Sequence, residues 1–178
     1  MRVLQIDEWA GLEAHSPATC AVDLQSKLLA PLGISAKRFF GFRTAAPAPQ
    51  RECRRVARWL QANGPIDICI LGLGLNGHIA MNEPGPSLVP HIHFARLAPS
   101  SRQHSMLQGL STKPSHGYTL GMADILNSRE VLLLVSGPHK RMVMHRLMSP
   151  RVNPALPASF LWLHGNAHLL CDRDAAPT

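Results

Sequence analysis

Directly after an apolar run, residues Gly72, Gly74 and Gly77 are interleaved with Asn76, His78, Asn82 and Glu83. An imidazole within reach of a carboxylate can be held in one tautomer and used to shuttle a proton. Glycine on either side of such a group, Gly77 above all, lets the backbone come close to a bound molecule. A His–Glu pair can equally well serve only to tie a tight loop together, so both readings of His78 and Glu83 stand at this point. Further forward, Asp7-Glu8 precedes Trp9 at the end of a strand-like stretch. An acidic pair there caps a turn in many proteins, yet a strand-end carboxylate also suits proton transfer next to a carbonyl. Lys140 follows Ser136-Gly137-Pro138 and is either a solvated surface cation or a partner for an anion at a helix start.

These residues need elements to hold them. Strand-like and helix-like stretches alternate along the chain, which predicts an α/β protein, a three-layer sandwich with a mostly parallel, Rossmann-like central sheet. The strands are expected at Arg2–Ile6, Arg38–Phe42, Ile66–Leu73, Glu130–Val135 and Ala167–Cys171. Ile66–Leu73 is apolar almost throughout, the pattern of a strand buried on both faces. Helical patterns cover residues 17–30, the segment of Arg51 to Leu60, Ser100–Gln108, a turn at Ala123–Leu126, His139–Met148 and Ala158–Leu163. Residues 84–118 show no clean periodicity. A parallel sheet would bring Asp7 to the same sheet edge as the glycine-rich loop, where open α/β sheets bind ligands.

With 178 residues, 46% of them hydrophobic, the chain is long enough for a single domain with a real core. No run approaches the roughly 18 apolar residues of a membrane span, and the N-terminus lacks a signal-peptide pattern, so a soluble cytoplasmic protein is expected, without a membrane partner. The formal charge of +7 raises nucleic acid as a partner. However, Arg51, Arg54, Arg55 and Arg58 share one helical face opposite Cys53, Val56, Ala57 and Leu60. That makes them the solvated side of an amphipathic helix and leaves no nucleic-acid partner. Gly72, Gly74 and Gly77 spell G-x-G-x-x-G, but Asn82-Glu83-Pro84 follows where a dinucleotide fingerprint would open a helix. His91 with His93, and His164 with His168, have metal-ligand spacing without a third ligand, and the four cysteines form no C-x-x-C pair. No metal is expected.

Five stretches carry a resemblance: IDEW (6–9), LGLGLNGHIAMNEPG (71–85), TLGMADIL (119–126), LLLVSGPHK (132–140) and PASFLWLHG (157–165). In order and spacing they are similar to the glucosamine-6-phosphate deaminases and their relatives, and the last two most resemble the galactosamine-6-phosphate branch. The resemblance implies an enzyme that opens an amino-sugar ring, moves a proton between C2 and C1 and releases ammonia, leaving a ketose 6-phosphate, with no metal or organic cofactor. It implies Asp7 as the base for the C1/C2 proton transfer, His78 as the shuttle for ring opening, Glu83 as its support, and Lys140 as a phosphate contact. Asn76 stands where the best-known glucosamine enzymes have aspartate. An amide can orient an imidazole by hydrogen bonding but cannot stabilise an imidazolium by charge. Ahead of the strand bearing Asp7, family members have a further strand and a Gly/Ser/Thr-rich loop that holds the phosphate. This chain has no such loop, so it is expected to be one deaminase/isomerase domain, truncated by that N-terminal unit. The competing readings are a 6-phosphogluconolactonase-like hydrolase, which needs no paired base on the first strand, and a non-catalytic sugar-phosphate-binding remnant. The resemblance leaves the C4 epimer and a homo-oligomeric state open.

Overall fold

The computed structural model describes residues 1–177; Thr178, the end of the polar tail read from the sequence, lies outside them. In chain order the strands are β1 (Val3–Leu4), β2 (Asp7–Trp9), β3 (Phe39–Phe40), β4 (Ile68–Gly72), β5 (His93–Arg96), β6 (His116–Thr119), β7 (Glu130–Val135) and β8 (Ala167–Cys171). The α-helices are α1 (Cys20–Leu24), α2 (Pro49–Asn63), α3 (Met122–Leu126) and α4 (Arg141–Leu147). The described residues form two compact units, one of Met1–Arg58 with Ile92–Thr119, the other of Trp59–His91 with the chain from Leu120 onward.

In the first unit β1 pairs in parallel with β3, whereas β2, β6 and β5 form an antiparallel sheet in that order. The expectation of a mostly parallel sheet beneath Asp7 is therefore corrected. The predicted strand Arg2–Ile6 is met only over Val3–Leu4, and Asp7 opens a separate strand, β2, with a different partner. The missing clue is physical. Strands β5 and β6 have four residues each and contain His and Gly, too short and too polar on one face to show a period of two. Their core side is aromatic: Phe42 stacks on Tyr118 at 5.6 Å, and Tyr118 tilts against Phe94 at 5.2 Å.

Helix α2 follows the predicted amphipathic pattern in part: Cys53 and Val56 are buried and Leu60 is half-buried, but Ala57 is exposed. One arginine of its stripe departs from the solvated face. Arg55 lies 4.5 Å over the Phe40 ring and bonds the carboxylate of buried Glu52, whose other oxygen interactions include the Arg43 backbone N–H at 2.7 Å. Burial alone would raise the Glu52 carboxyl, but the hydrogen bonds from Arg55 and from the Arg43 backbone, with the Arg55 charge, bring it below the ordinary carboxylate value. A depressed folded-state value means that the carboxylate stabilises the fold above the unfolded value of about 4.3 and loses that contribution as pH falls through the folded value. Glu52→Gln is accordingly expected to lower the unfolding midpoint at pH 7, with the gap to wild type closing between pH 5 and 3 in parallel urea melts. A gap that did not change with pH would contradict this.

In the second unit β4, β7 and β8 form a parallel sheet in that order, with Ile70 opposite Leu132 and Leu134 opposite Leu170. Cys69, Leu71, Val131, Leu133 and Val135 point into the core. The other face is open, since Ile68, Ile70, Leu134 and Leu170 are each about half exposed, at 54%, 53%, 47% and 51%. The expectation that Ile66–Leu73 is buried on both faces is thus met on one face only. Helix α3 starts on a cap in which the Gly121 N–H donates to Asp124 Oδ2 at 3.1 Å. The stretches expected as helices at Ser100–Gln108 and Ala158–Leu163 are tighter 3₁₀ turns, Ser101–Gln103, Ser105–Leu107 and Pro157–Leu163. Among the described residues no helix is long and apolar enough to cross a membrane.

Candidate active site

Strand β4 ends at Gly72, and the chain then turns tightly: the Gly77 N–H donates to Gly74 O and the Gly74 N–H to His78 O, both at 2.9 Å. Gly77 has φ +93°, a conformation that costs other residues strain. A Cβ added there would lie 2.2 Å from the side chain of Leu156, and the Ala158 N–H donates to Gly77 O at 2.9 Å. The segment around Pro157 therefore braces the loop. No periodicity within PASFLWLHG signals this role. Asn82 closes the loop from the other side, its amide donating to Ile79 O at 3.1 Å and Leu120 O at 2.9 Å.

Within this frame Asn76, His78 and Glu83 meet. The Asn76 amide donates to Glu83 Oε2 at 2.9 Å, while Asn76 Oδ1 accepts from the His78 backbone N–H at 3.1 Å and faces His78 Nδ1 at 2.8 Å. With its amide nitrogen committed to Glu83, Asn76 presents only its oxygen to the ring, which requires the proton on Nδ1 and makes Nε2 the basic nitrogen. His78 Nδ1 is 3.5 Å from Glu83 Oε2, so the carboxylate supports the same tautomer. Asn76, assigned from sequence as an orienting group, joins the other two residues.

Gly74 sets the ring's position from below: a Cβ there would come within 2.3 to 2.5 Å of the imidazole. Gly74→Ala is therefore expected to rotate His78 out of register and to lower turnover by about 10- to 100-fold, since a misplacement near 1 Å costs on that order. Steady-state kinetics beside a thermal melt check it, and full activity in the variant would show that the ring position is not critical.

Lys140 ends a 3₁₀ turn, Pro138–Lys140, that runs into α4, shorter than the helix expected from His139. Its Nζ donates to Leu73 O, at the start of the glycine-rich loop, and burial lowers its ammonium below the ordinary lysine value. Lys140, Asn76, His78, Glu83 and Gly77 thus belong to one unit.

Asp7 belongs to the other unit, on β2, paired with Thr119. Its neighbour Glu8 points to the opposite sheet face and is wholly buried. The acidic pair therefore divides: Glu8 caps a helix start, and Asp7 is half-buried on the other face. Of the histidines with metal-ligand spacing, His91 Nδ1 contacts Asp124 Oδ1 at 3.0 Å, and His164 Nε2 bonds Ser128 O at 2.8 Å. Among the described residues no group of three or more His, Cys, Asp or Glu side chains has the arrangement of a metal site.

The sequence profile described as glucosamine-6-phosphate isomerases/6-phosphogluconolactonase matches residues 1–170. The putative deaminase AgaI of Escherichia coli K12 is 43% identical over 163 residues, 92% of this chain and 64% of AgaI. The glucosamine-6-phosphate deaminase of Geobacillus sp. WCH70 is 34% identical over 177 residues, 98% of this chain and 70% of its own length. The chain thus spans about two thirds of these relatives. A solved monomeric glucosamine-6-phosphate deaminase, described as a missing link of the NagB superfamily, superposes with a TM-score of 0.90 at 31% identity, over 98% of this chain and 73% of that one. A 6-phosphogluconolactonase from Trypanosoma brucei gives a TM-score of 0.73 at 24% identity, over 98% of this chain and 72% of its own, and shares the fold.

Proposed function

The chain belongs to the glucosamine-6-phosphate isomerase/6-phosphogluconolactonase family, and we propose that within it this protein converts a hexosamine 6-phosphate and water into a ketose 6-phosphate and ammonia. The observation that carries this reading is the Asn76–His78–Glu83 arrangement, which holds the proton on Nδ1 and makes Nε2 the basic nitrogen. Nε2 takes the proton of the anomeric hydroxyl and returns it to the ring oxygen, which opens the ring. Asp7 then removes the C2 proton of the open-chain aldehyde and delivers one to C1. The resulting C2 imine adds water and loses ammonia. Glu83, reached through both Asn76 and His78 Nδ1, stabilises the imidazolium that forms in the first step, which supplies the charge that Asn76 lacks.

The substrate is galactosamine 6-phosphate and the product tagatose 6-phosphate, on the strength of the segments LLLVSGPHK and PASFLWLHG. Lys140 contacts the phosphate. An ammonium desolvated by burial gains more from a dianion than an exposed one does, and pairing restores the proton that burial disfavours. Coupled assays of ammonia release from galactosamine 6-phosphate and glucosamine 6-phosphate test the reading. Release from the galacto epimer with the higher kcat/KM supports it, and hydrolysis of a 6-phosphogluconolactone with no ammonia from either sugar would replace it with the hydrolase reading.

A further inference from the structure

Strand β2 has only three residues, and as the outer member of the order β2-β6-β5 it pairs on one side only. So short an edge strand holds a side chain in place poorly by its ladder alone, because a single row of backbone bonds fixes it. Beside the Thr44 hydroxyl, which donates to Trp9 O, Glu8 fixes it further. Its carboxylate is 0% exposed and accepts from the Gln5 side-chain amide at 2.8 Å, the Trp9 N–H at 2.8 Å, the Cys20 N–H at 2.9 Å and the Ala21 N–H at 3.0 Å. The last two are the first amides of the helical stretch that runs from Cys20 through Leu29. A buried carboxylate without partners is strongly disfavoured, so this one commits β2 to one place on the helix start. Successive side chains of a strand alternate, so the clamp acts on the face opposite Asp7 and leaves that carboxylate free of the clamp itself. Burial first, then the charge of Asp7 and that of Glu8, push the Cys20 thiol up.

We propose that Glu8 is a positioning residue for the reaction: by locking β2 to the amides of Cys20 and Ala21 it holds the neighbouring Asp7 carboxylate where the C1/C2 proton transfer needs it. The inference rests on the reading of Asp7 as the base. It makes a specific demand on kinetics. A group that only holds the fold together lowers the amount of active protein, whereas one that aims a base lowers kcat of the folded enzyme and leaves substrate affinity alone.

Two variants of the full chain test it. Glu8→Gln keeps the shape but turns one oxygen acceptor into a donor against backbone N–H groups. Cys20→Pro removes a single donor at the first helical position, where proline fits, and Thr19 before it already has the extended ψ of 144° that proline requires; Cys20→Ser, which keeps that N–H, is its control. Glu52→Gln, expected to destabilise the same unit, serves as the stability control. Folded Glu8→Gln and Cys20→Pro are expected to lose about 10- to 100-fold in kcat with KM within about 2-fold of wild type, as for a base misplaced by about 1 Å, while Cys20→Ser and Glu52→Gln keep kcat. Unchanged kcat in Cys20→Pro, or an equal loss in Glu52→Gln, overturns the inference. If Glu8→Gln does not fold, Cys20→Pro decides alone. Asp7→Asn is run alongside: loss of turnover there with none in the Glu8 and Cys20 variants removes only this inference, and retained turnover, or a wild-type chain without turnover, removes the reading beneath it.

Discussion

Asp7→Asn is expected to reduce ammonia release by about 10²- to 10⁴-fold, the range for loss of a general base, with little change in thermal stability. The small cost to the fold follows because Glu8, which this variant leaves intact, anchors β2 by accepting buried hydrogen bonds from Gln5, Trp9, Cys20 and Ala21. An amide in place of the Asp7 carboxylate keeps the size and loses the ability to take a proton from carbon. Stopped assays for ammonia and for ketose phosphate, with a melt of each protein, check both halves. A variant that retained near-normal turnover would remove Asp7 from the chemistry, and one that was inactive because it was unfolded would return both members of the pair to a structural role.

His78→Gln is expected to slow turnover of the closed-ring sugar by about 10²-fold or more, as for other shuttling imidazoles, and to slow that of the open-chain form much less. The reason is that His78 acts only while the ring opens, with Nδ1 held by Asn76 and Nε2 carrying the proton. Supplying the open-chain aldehyde bypasses the step and therefore the residue. Rapid-mixing measurements that resolve the small open-chain fraction from the bulk sugar make the comparison. Equal losses on both forms would move His78 from ring opening to the C1/C2 step or to binding.

Much of the catalytic loop is legible in the sequence because its chemistry is local. Asn76, His78 and Glu83 lie within eight residues, and Gly77, at φ +93°, makes the turn that folds them together. What supports the loop comes from afar. Leu156 and Ala158 reach Gly77 from the far end of the chain, a contact that no periodicity encodes. The same holds for β2. The acidic pair Asp7-Glu8 reads as one feature, and only the pairing with Tyr118 and Thr119 shows that its two carboxylates face opposite ways. The amphipathic stretch of α2 is plain from its spacing, yet Arg55 lies against Phe40 and Glu52, since a guanidinium can stack and bond at once where a solvated lysine would not. The apolar run Ile66–Leu73 signals burial on both faces, but hydrophobicity records only what a strand tolerates, and Ile68 and Ile70 are open.

The measurement that bears most directly on the assignment is conversion of galactosamine 6-phosphate in deuterium oxide, followed by proton and carbon NMR together with an ammonia assay. The expected result is one equivalent of ammonia for each ketose 6-phosphate formed, with deuterium from solvent at C1 of the product, because the proton that Asp7 takes from C2 exchanges before one is delivered to C1. Unchanged amino sugar with no deuterium at C1 or C2, from a folded chain that hydrolyses a 6-phosphogluconolactone, would contradict it.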